Sequence, residues 1–440
     1  MSTNMIIGII GCILSLVLIF ARVWVGPGMM IISIIGIALM KGWDYTMFVL
    51  APLPYSQMSS YTWACLPLFI LMGCALSHSG IGKDLYTFAQ KMLSRIRGGL
   101  AMATVCACAF FAAICGDSVA TAVTMGKVAL PEMKRYKYNE GLAACSVVAG
   151  GTIGIMIPPS VSFIMYAMIT EQSVGRLFAA GMLPGITQAL FYVVSIAIVC
   201  RLRPGYGGEQ VERVSRREKL KSAIPVWPVI LLFGLMMGGL YGGFFTPVEA
   251  GAFGAMFTFV IAIVLRRLNK NNLSAILSDG IQSACMVLFL IVGAYFFTRF
   301  VTVSGVAPAL TSALLNWQAA NQIPRIVIVL IICLFYFITG CFLDALAVIL
   351  LTLGIVFPII TGLGYDPIWW GVIMVRMLEI SMVTPPFGLN LFCVSRACNV
   401  PIKTIFRGTP PFIIADVANL ALLLALPGIS LFLPKLMGLM

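Results

Sequence analysis

Phe337-Ile-Thr-Gly340-Cys-Phe-Leu-Asp344 opens a stretch that runs through apolar residues to Pro358 and Tyr365. It ends, after a second apolar run, in Thr384-Pro385-Pro386-Phe-Gly-Leu-Asn390. Each run is long enough to be a spanning helix, and each is interrupted by residues that suit one badly. Gly340 and Asp344 interrupt the first and the proline pair interrupts the second. A similar arrangement lies between Gly116 and Ser160. Adding 227 to 131, 138, 158 and 159 gives 358, 365, 385 and 386, and both members of each pair are the same residue type, proline or tyrosine. A third pair, Pro410-Pro411, has no counterpart. A single proline, a tyrosine and a proline pair that keep one offset are an internal repeat. Broken apolar segments in corresponding halves point to the binding site of a membrane transporter.

Composition sets the class. Hydrophobic residues make up 61% of the 440, the mean hydropathy is +1.04, and 10% are charged. An average soluble domain carries about 25% charged residues. A net charge of +13 raises the question of nucleic acid, but the basic residues cluster in short loops between apolar segments, as orientation signals of membrane proteins do. The partner implied is membrane lipid, not nucleic acid. The thirteen cysteines contain no Cys-x-x-Cys pair and there is one histidine, so neither a transition-metal site nor a disulfide framework is suggested. No organic cofactor motif stands out, and no His or Cys constellation accompanies the carboxylates as an enzyme would require.

In chain order, spans are expected at Met5–Phe20, Gly28–Met40 and Trp63–Leu76, with an interfacial connection over Gly42–Tyr61. Gly82–Arg97 reads as an amphipathic helix. Gly99–Val128 is apolar, has basic flanks on both sides and is broken at Gly116-Asp117-Ser118, which predicts a re-entrant hairpin. Gly141–Met168 is a span broken at Pro158-Pro159. Leu177–Cys200 returns to a loop with seven basic residues between Arg201 and Lys221. Ile224–Leu240 and Gly251–Leu265 follow. The second half repeats the plan from the other face: Ile281–Phe297, an interfacial helix at Val303–Asn316, a second hairpin over Ile326–Pro358, a broken span over Ile368–Val394, and a last span at Phe412–Phe432. The fold class is therefore an all-α polytopic membrane protein built of inverted repeats with two opposed re-entrant hairpins. The units are 1–61 (N-terminal scaffold), 62–200 (first repeat, hairpin 99–128, broken helix 141–168), 201–223 (cytoplasmic loop), 224–279 (central scaffold) and 280–440 (second repeat, hairpin 326–358, broken helix 368–394).

Function follows from the breaks. A hairpin tip or an unwound proline pair leaves backbone groups without helical partners, which is tolerated at membrane depth only beside protein or a wet cavity. Ser118, Thr152 and Ser160 in the first half and Asp344, Thr384 and Asn390 in the second supply oxygen near those breaks, a set that suits a hard cation. The argument leaves sodium and protons both open. Asp117 can cap the returning arm, help hold a cation or pair with Lys127. Glu249, after Thr246-Pro247, reads as a helix-cap residue. Arg376 and Glu379 stand at i and i+3, within pairing distance; the alternative for Arg376 is contact with an acidic substrate. Asp416 is expected to face the protein interior.

Several motifs together resemble one known family, the large membrane subunit of the tripartite ATP-independent periplasmic (TRAP) transporters, the DctM-type permease. They are Phe110-Phe-Ala-Ala-Ile-Cys-Gly116-Asp-Ser118 leading to Pro131-Glu-Met133, Gly151-Thr-Ile-Gly-Ile-Met-Ile-Pro158-Pro159-Ser160, Phe245-Thr-Pro-Val-Glu249-Ala, Gly340-Cys-Phe-Leu-Asp344 and Thr384-Pro385-Pro386-Phe-Gly-Leu-Asn390. The resemblance covers almost the whole chain. It implies elevator-type, sodium-coupled import of an organic acid, such as a C4-dicarboxylate or sugar acid, in a bacterial inner membrane. The implied partners are a small four-helix membrane subunit and a periplasmic substrate-binding protein. It also implies that the two tips and the two proline breaks carry the sites: Gly116, Asp117, Ser118, Thr152, Pro158, Gly340, Asp344, Thr384 and Pro385 toward Na+, and Ser118, Ser160, Arg376 and Asn390 toward substrate. Such permeases usually carry Gly-Ser-Ser where this chain has Gly116-Asp117-Ser118. A sodium- or proton-coupled carboxylate symporter working without a binding protein is the alternative.

Overall fold

A computed structural model describes residues 3–21, 23–209 and 214–439, and every regular element among them is helical. Helices are the open-chain solution for an apolar environment, because they satisfy all their backbone groups internally. Among the described residues eight helices are long and apolar enough to cross a membrane, or nine if the bent pair Ile402–Gly408 and Pro410–Ala425 counts as one.

The first hairpin has arms Gly99–Cys115 and Ser118–Arg135, and the second has arms Arg325–Phe342 and Ala345–Gly362. The first returning arm thus runs past Val128 and takes Pro131 into its interior. The first broken helix comprises Glu140–Met156 and Val161–Thr170, the second Pro367–Val383 and Leu389–Cys398. Asn139 and Asp366, again 227 apart, start the two broken helices by the same device. The Asn139 carboxamide oxygen accepts from the Leu142 N–H at 3.1 Å, and the Asp366 carboxylate accepts from the Ile368 and Trp369 N–H groups at 2.7 and 3.1 Å.

The halves exchange partners reciprocally. The returning arm of the first hairpin packs on Leu389–Cys398 of the second broken helix, and the returning arm of the second hairpin packs on Val161–Thr170 of the first. Gly126 lies against Cys398 in one contact and Tyr166 sets its ring edge-on to Phe357 in the other. The internal repeat read from the proline spacing is therefore present as packing.

Around this core, Val25–Lys41 packs along the long helix Lys270–Ser304, which also meets Cys65–His78. The amphipathic helix Ile81–Leu93 lies on Gly99–Cys115. The Gly42–Tyr61 connection contains two short helices, Trp43–Leu50 and Leu53–Met58. Two expectations are corrected. The helix expected over Ile281–Phe297 begins at Lys270 and ends at Ser304, where Gly305 takes a left-handed φ of 71°. The last span ends at Ala425, because Pro427 cannot continue it, and a separate helix, Gly428–Leu436, follows. Part of the basic loop, at 210–213, lies outside the described residues.

Candidate functional site

Each hairpin turns in two residues. Gly116 ends the first arm with a φ of 66°, and its N–H bonds to the Ala112 carbonyl. Asp117 is extended, and its carboxylate accepts from the Ala120 N–H at 2.6 Å. The second tip has no glycine: Leu343 and Asp344 are both extended, and the Asp344 carboxylate accepts from the Leu346 N–H at 3.1 Å. Asp117 and Asp344 stand 227 apart, so the repeat places one capping aspartate at each tip. Such a cap satisfies a backbone donor at the start of a helix.

Gly340, expected at the second tip, sits in the last turn of the entering arm. A Cβ there would fall within 2.2 Å of the Ser381 Oγ. Its role is close approach to the second broken helix.

The tips meet the breaks. A Cβ on Gly116 would lie 2.3 Å from the Pro159 carbonyl oxygen, and one on Gly154 would lie 3.0 Å from the Asp117 carbonyl oxygen. Pro159 lies inside the 31-residue broken element Glu140–Thr170, so the first tip stands within the length of a spanning element, as a re-entrant element requires. In the second half the Phe342 ring meets the Phe387 ring, with centroids 4.7 Å apart. Pro158 and Pro159 have no N–H, so the Gly154 and Ile155 carbonyls receive no bond from four residues ahead. Both proline pairs are joined by a cis peptide bond.

Around the first tip the side chains converge. Asn390, from the second broken helix, donates its Nδ2 to the Ser118 Oγ, and both residues are buried. The Asn390 Oδ1 is buried and has no hydrogen-bond partner among the described residues. Thr121 Oγ1 donates to the Asp117 carbonyl at 2.6 Å. Ser160 is fully buried and caps Val161–Thr170 through the Phe163 N–H at 3.4 Å. Gly116, Asp117, Ser118, Ser160 and Asn390, with the Pro158-Pro159 break, thus form one group.

Asp117 and Asp344 are both exposed side chains at the tips of the two hairpins. They are within electrostatic range of each other, and Cys393 is within range of both. Asp117 is held by the Ala120 cap, not by Lys127. The two breaks differ in cover. All of 151–160 is buried, whereas Pro386 and Phe387 are exposed. Thr384, half-buried beside Pro385, spends its hydroxyl on the Ile380 carbonyl at 2.6 Å.

Two residues lie elsewhere. Thr152 lies two residues before Gly154 but turns its hydroxyl to other partners. Its Oγ1 donates to the Ala149 carbonyl at 2.7 Å and receives the Gln188 Nε2 at 3.3 Å. Arg376 is fully buried, with Nη1 on the Glu379 Oε2 at 2.8 Å and Nη2 paired to Asp416. This is the ion pair expected of Arg376 and Glu379, widened by a second carboxylate, and it leaves the guanidinium fully buried between them. Asp416 faces the interior, as expected. Tyr192, which donates to Asp416, was not legible; it comes from the helix Val174–Leu202. Glu249 forms a capping box with Thr246, accepting from the Thr246 N–H at 2.7 Å. His78 Nε2 stands 3.4 Å from Asp279 at a helix end.

The family model of the tripartite ATP-independent periplasmic transporter, DctM component, matches residues 12–429. The C4-dicarboxylate TRAP transporter large permease protein DctM of Pseudomonas aeruginosa is 36% identical over 379 residues, covering 86% of this chain and 87% of that protein. The sialic acid TRAP transporter large permease protein SiaM of Vibrio cholerae is 29% identical over 378 residues, covering 86% of this chain and 87% of that one. Among solved structures, the YdaH transporter of Alcanivorax borkumensis superposes with a TM-score of 0.59 over 89% of this chain and 90% of that one, at 14% identity, a likeness of fold. The motifs around the tips and breaks, and the reciprocal packing that joins them, are thus those of a transport protein and not an enzyme: the chain belongs to the tripartite ATP-independent periplasmic transporters, as a multi-pass large permease of the DctM family.

Proposed function

We propose that this chain is the large transmembrane subunit of a sodium-coupled, binding-protein-dependent secondary transporter that imports an organic acid across the bacterial inner membrane by an elevator movement. The observation that carries the reading is the first tip. There Ser118 and Asn390 are hydrogen-bonded, the Asn390 Oδ1 is buried without a partner among the described residues, and the carbonyls of Asp117 and Pro159 come close to Gly154 and Gly116. Oxygen ligands of this kind suit a hard monovalent cation, and a half-helix start beside them suits an anionic group. Gly116, Asp117, Ser118 and Pro158 would hold one sodium ion, and Gly340, Asp344, Thr384 and Pro385 a second. Ser160 and Asn390 would face the substrate. Arg376 and Thr152 act, in this reading, by holding the broken helices together.

The cargo is an acid because the similar large permeases are named for a C4-dicarboxylate and for sialic acid. The partners are a small membrane subunit of four helices and a periplasmic binding protein that delivers the acid. The test is uptake in proteoliposomes holding this chain and the small subunit, with an inward sodium gradient and the liganded binding protein outside. Uptake that needs all three is expected. Uptake of the free acid by this chain alone would establish the binding-protein-independent symporter instead. Uptake driven equally by a proton gradient without sodium would remove the sodium assignment.

A further inference from the structure

The second hairpin tip presents a face that the first does not. At the first tip Cys115 and Ser160 are buried, and Ser118 is bonded to Asn390. The positions 227 further on from Cys115 and Ser160 are Phe342 and Phe387. Their rings stand 4.7 Å apart, tilted by 37°, and the two residues are 45% and 50% exposed. Leu343 and Asp344 are extended, and side chains alternate in direction along an extended segment. Cys341, Leu343 and Ala345 are accordingly buried, while Phe342 and Asp344 are exposed. Two phenylalanine rings and a carboxylate therefore share one exposed face.

Lipid does not cover such a face, because an ionisable side chain in a membrane segment turns to protein or to water. Nor does the chain itself answer the carboxylate. Among the described residues neither Asp344 nor Asp117 has a Lys, Arg or His partner, and the charged group that acts on Asp344 is Asp117. Arg376 is spent on Glu379 and Asp416. The Asn390 Oδ1, three positions after Phe387, is a buried acceptor with no donor among the described residues. Ring faces, carboxylates and an unspent amide oxygen all attract positive charge or a donor, and a carboxylate ligand satisfies none of them. On the sodium-coupled reading above, two sodium ions balance Asp117 and Asp344 and leave the carboxylate of a cargo uncompensated. A cargo that brings its own cation closes the count.

We propose that the cargo is a zwitterionic acid, and that the Phe342–Phe387 ring pair with Asp344 is the subsite for its protonated amine. This names the cargo class of the transport site described above, and it rests on that assignment of the two tips. The rings give the ammonium a face to sit on, and Asp344 gives it a counter-charge. The carboxylate of the cargo turns to the half-helix start at Ser160. The two halves of the repeat thus receive the two ends of one molecule.

The test is thermal stabilisation of the purified permease in detergent with sodium present, titrated with two pairs of probes. The pairs are 3-aminopropanoate against butanoate and 4-aminobutanoate against pentanoate. Within a pair the length and the carboxylate are the same, and an ammonium replaces a methyl group. In at least one pair the amine should half-saturate at a concentration several-fold below that of its methyl twin. Phe387→Leu keeps apolar bulk and removes a ring face, and should abolish that preference. Asp344→Asn, which retains a capping oxygen, should do the same, and Phe342→Leu serves if Phe387→Leu does not fold. Equal half-saturation in both pairs, a tighter methyl twin, or no stabilisation by either amine would overturn the proposal. A preference that survives in all three variants would overturn it as well, and loss of the small membrane subunit from Phe387→Leu would then assign the rings to that partner. Neither a gradient nor a binding protein enters the measurement, so it is read separately from transport. A preference that holds equally without sodium would strike the coupling ion and leave the cargo class standing.

Discussion

Asp117 and Asp344 perform one task at two places. Each is the last residue of a two-residue hairpin turn, each caps the arm that follows with its carboxylate, and each leaves its side chain exposed, within electrostatic range of the other. Two like charges within range of each other attract a cation, and each is fixed in place by its own helix.

The cap and the charge of Asp117 are separable. Asp117→Ala loses both and should cost about 1 kcal/mol of stability, the usual cost of an N-cap, read as a lower melting temperature in detergent. Asp117→Ser retains a capping oxygen and should melt close to the parent. Its half-saturating sodium concentration for uptake should rise several-fold. An unchanged sodium dependence in a well-folded Asp117→Ser protein would confine the residue to capping.

Gly116 is required twice over. Its φ of 66° is left-handed, and a Cβ would sit 2.3 Å from the Pro159 carbonyl oxygen. A left-handed backbone alone costs an L-residue roughly 1–2 kcal/mol, and the clash would push the tip off the break. Gly116→Ala should therefore abolish sodium-dependent uptake at near-normal expression. Normal uptake would show that the tip can stand away from Pro159 without loss.

Ser118 and Asn390 should behave as a unit. Removing the hydroxyl leaves the buried Asn390 amide without its acceptor, at a cost of about 1–3 kcal/mol. Ser118→Ala, Asn390→Ala and the double variant form a cycle in which contacting residues couple by about 0.5–3 kcal/mol. Melting temperatures and uptake rates should both be non-additive. Additive effects would mean that the two act separately.

Arg376 should be a stability residue. Arg376→Met removes the partner of two fully buried carboxylates, and breaking a buried pair costs about 3–5 kcal/mol. The expected result is a loss of folded protein, measured by size-exclusion yield, in proportion to the loss of uptake. Full yield with selective loss of acid uptake would return Arg376 to the substrate.

Much of this architecture was legible because prolines and capping residues act locally. The proline pairs mark both breaks, and Gly116 marks the first tip by the backbone conformation it permits. The offset that aligns the prolines also aligns Asp117 with Asp344 and Asn139 with Asp366, a signal present in the sequence that the proline and tyrosine matches alone did not use. Gly340 misled for a physical reason: a glycine in an apolar helix signals a turn or a close approach equally well, and Ser381, 41 positions on, decides for close approach. Thr152 lies six residues before Pro158 in the sequence, but its hydroxyl belongs to Ala149 on its own helix and to Gln188 and Tyr192 on Val174–Leu202. The N-terminal connection defeated reading because its prolines start the short helix Leu53–Met58 instead of ending one.

The two breaks are built alike but dressed differently: residues 151–160 are covered throughout, while Pro386 and Phe387 lie bare. A chain with such a matched pair carries its own reference. A substitution made at one aspartate or one proline pair has a twin 227 residues away with the same chemistry in different surroundings. Any difference between twins therefore measures the surroundings, free of the amino acid. Cysteine labels at Pro159 and Pro386, compared under the same gradient, would read whether the cover passes from one end to the other.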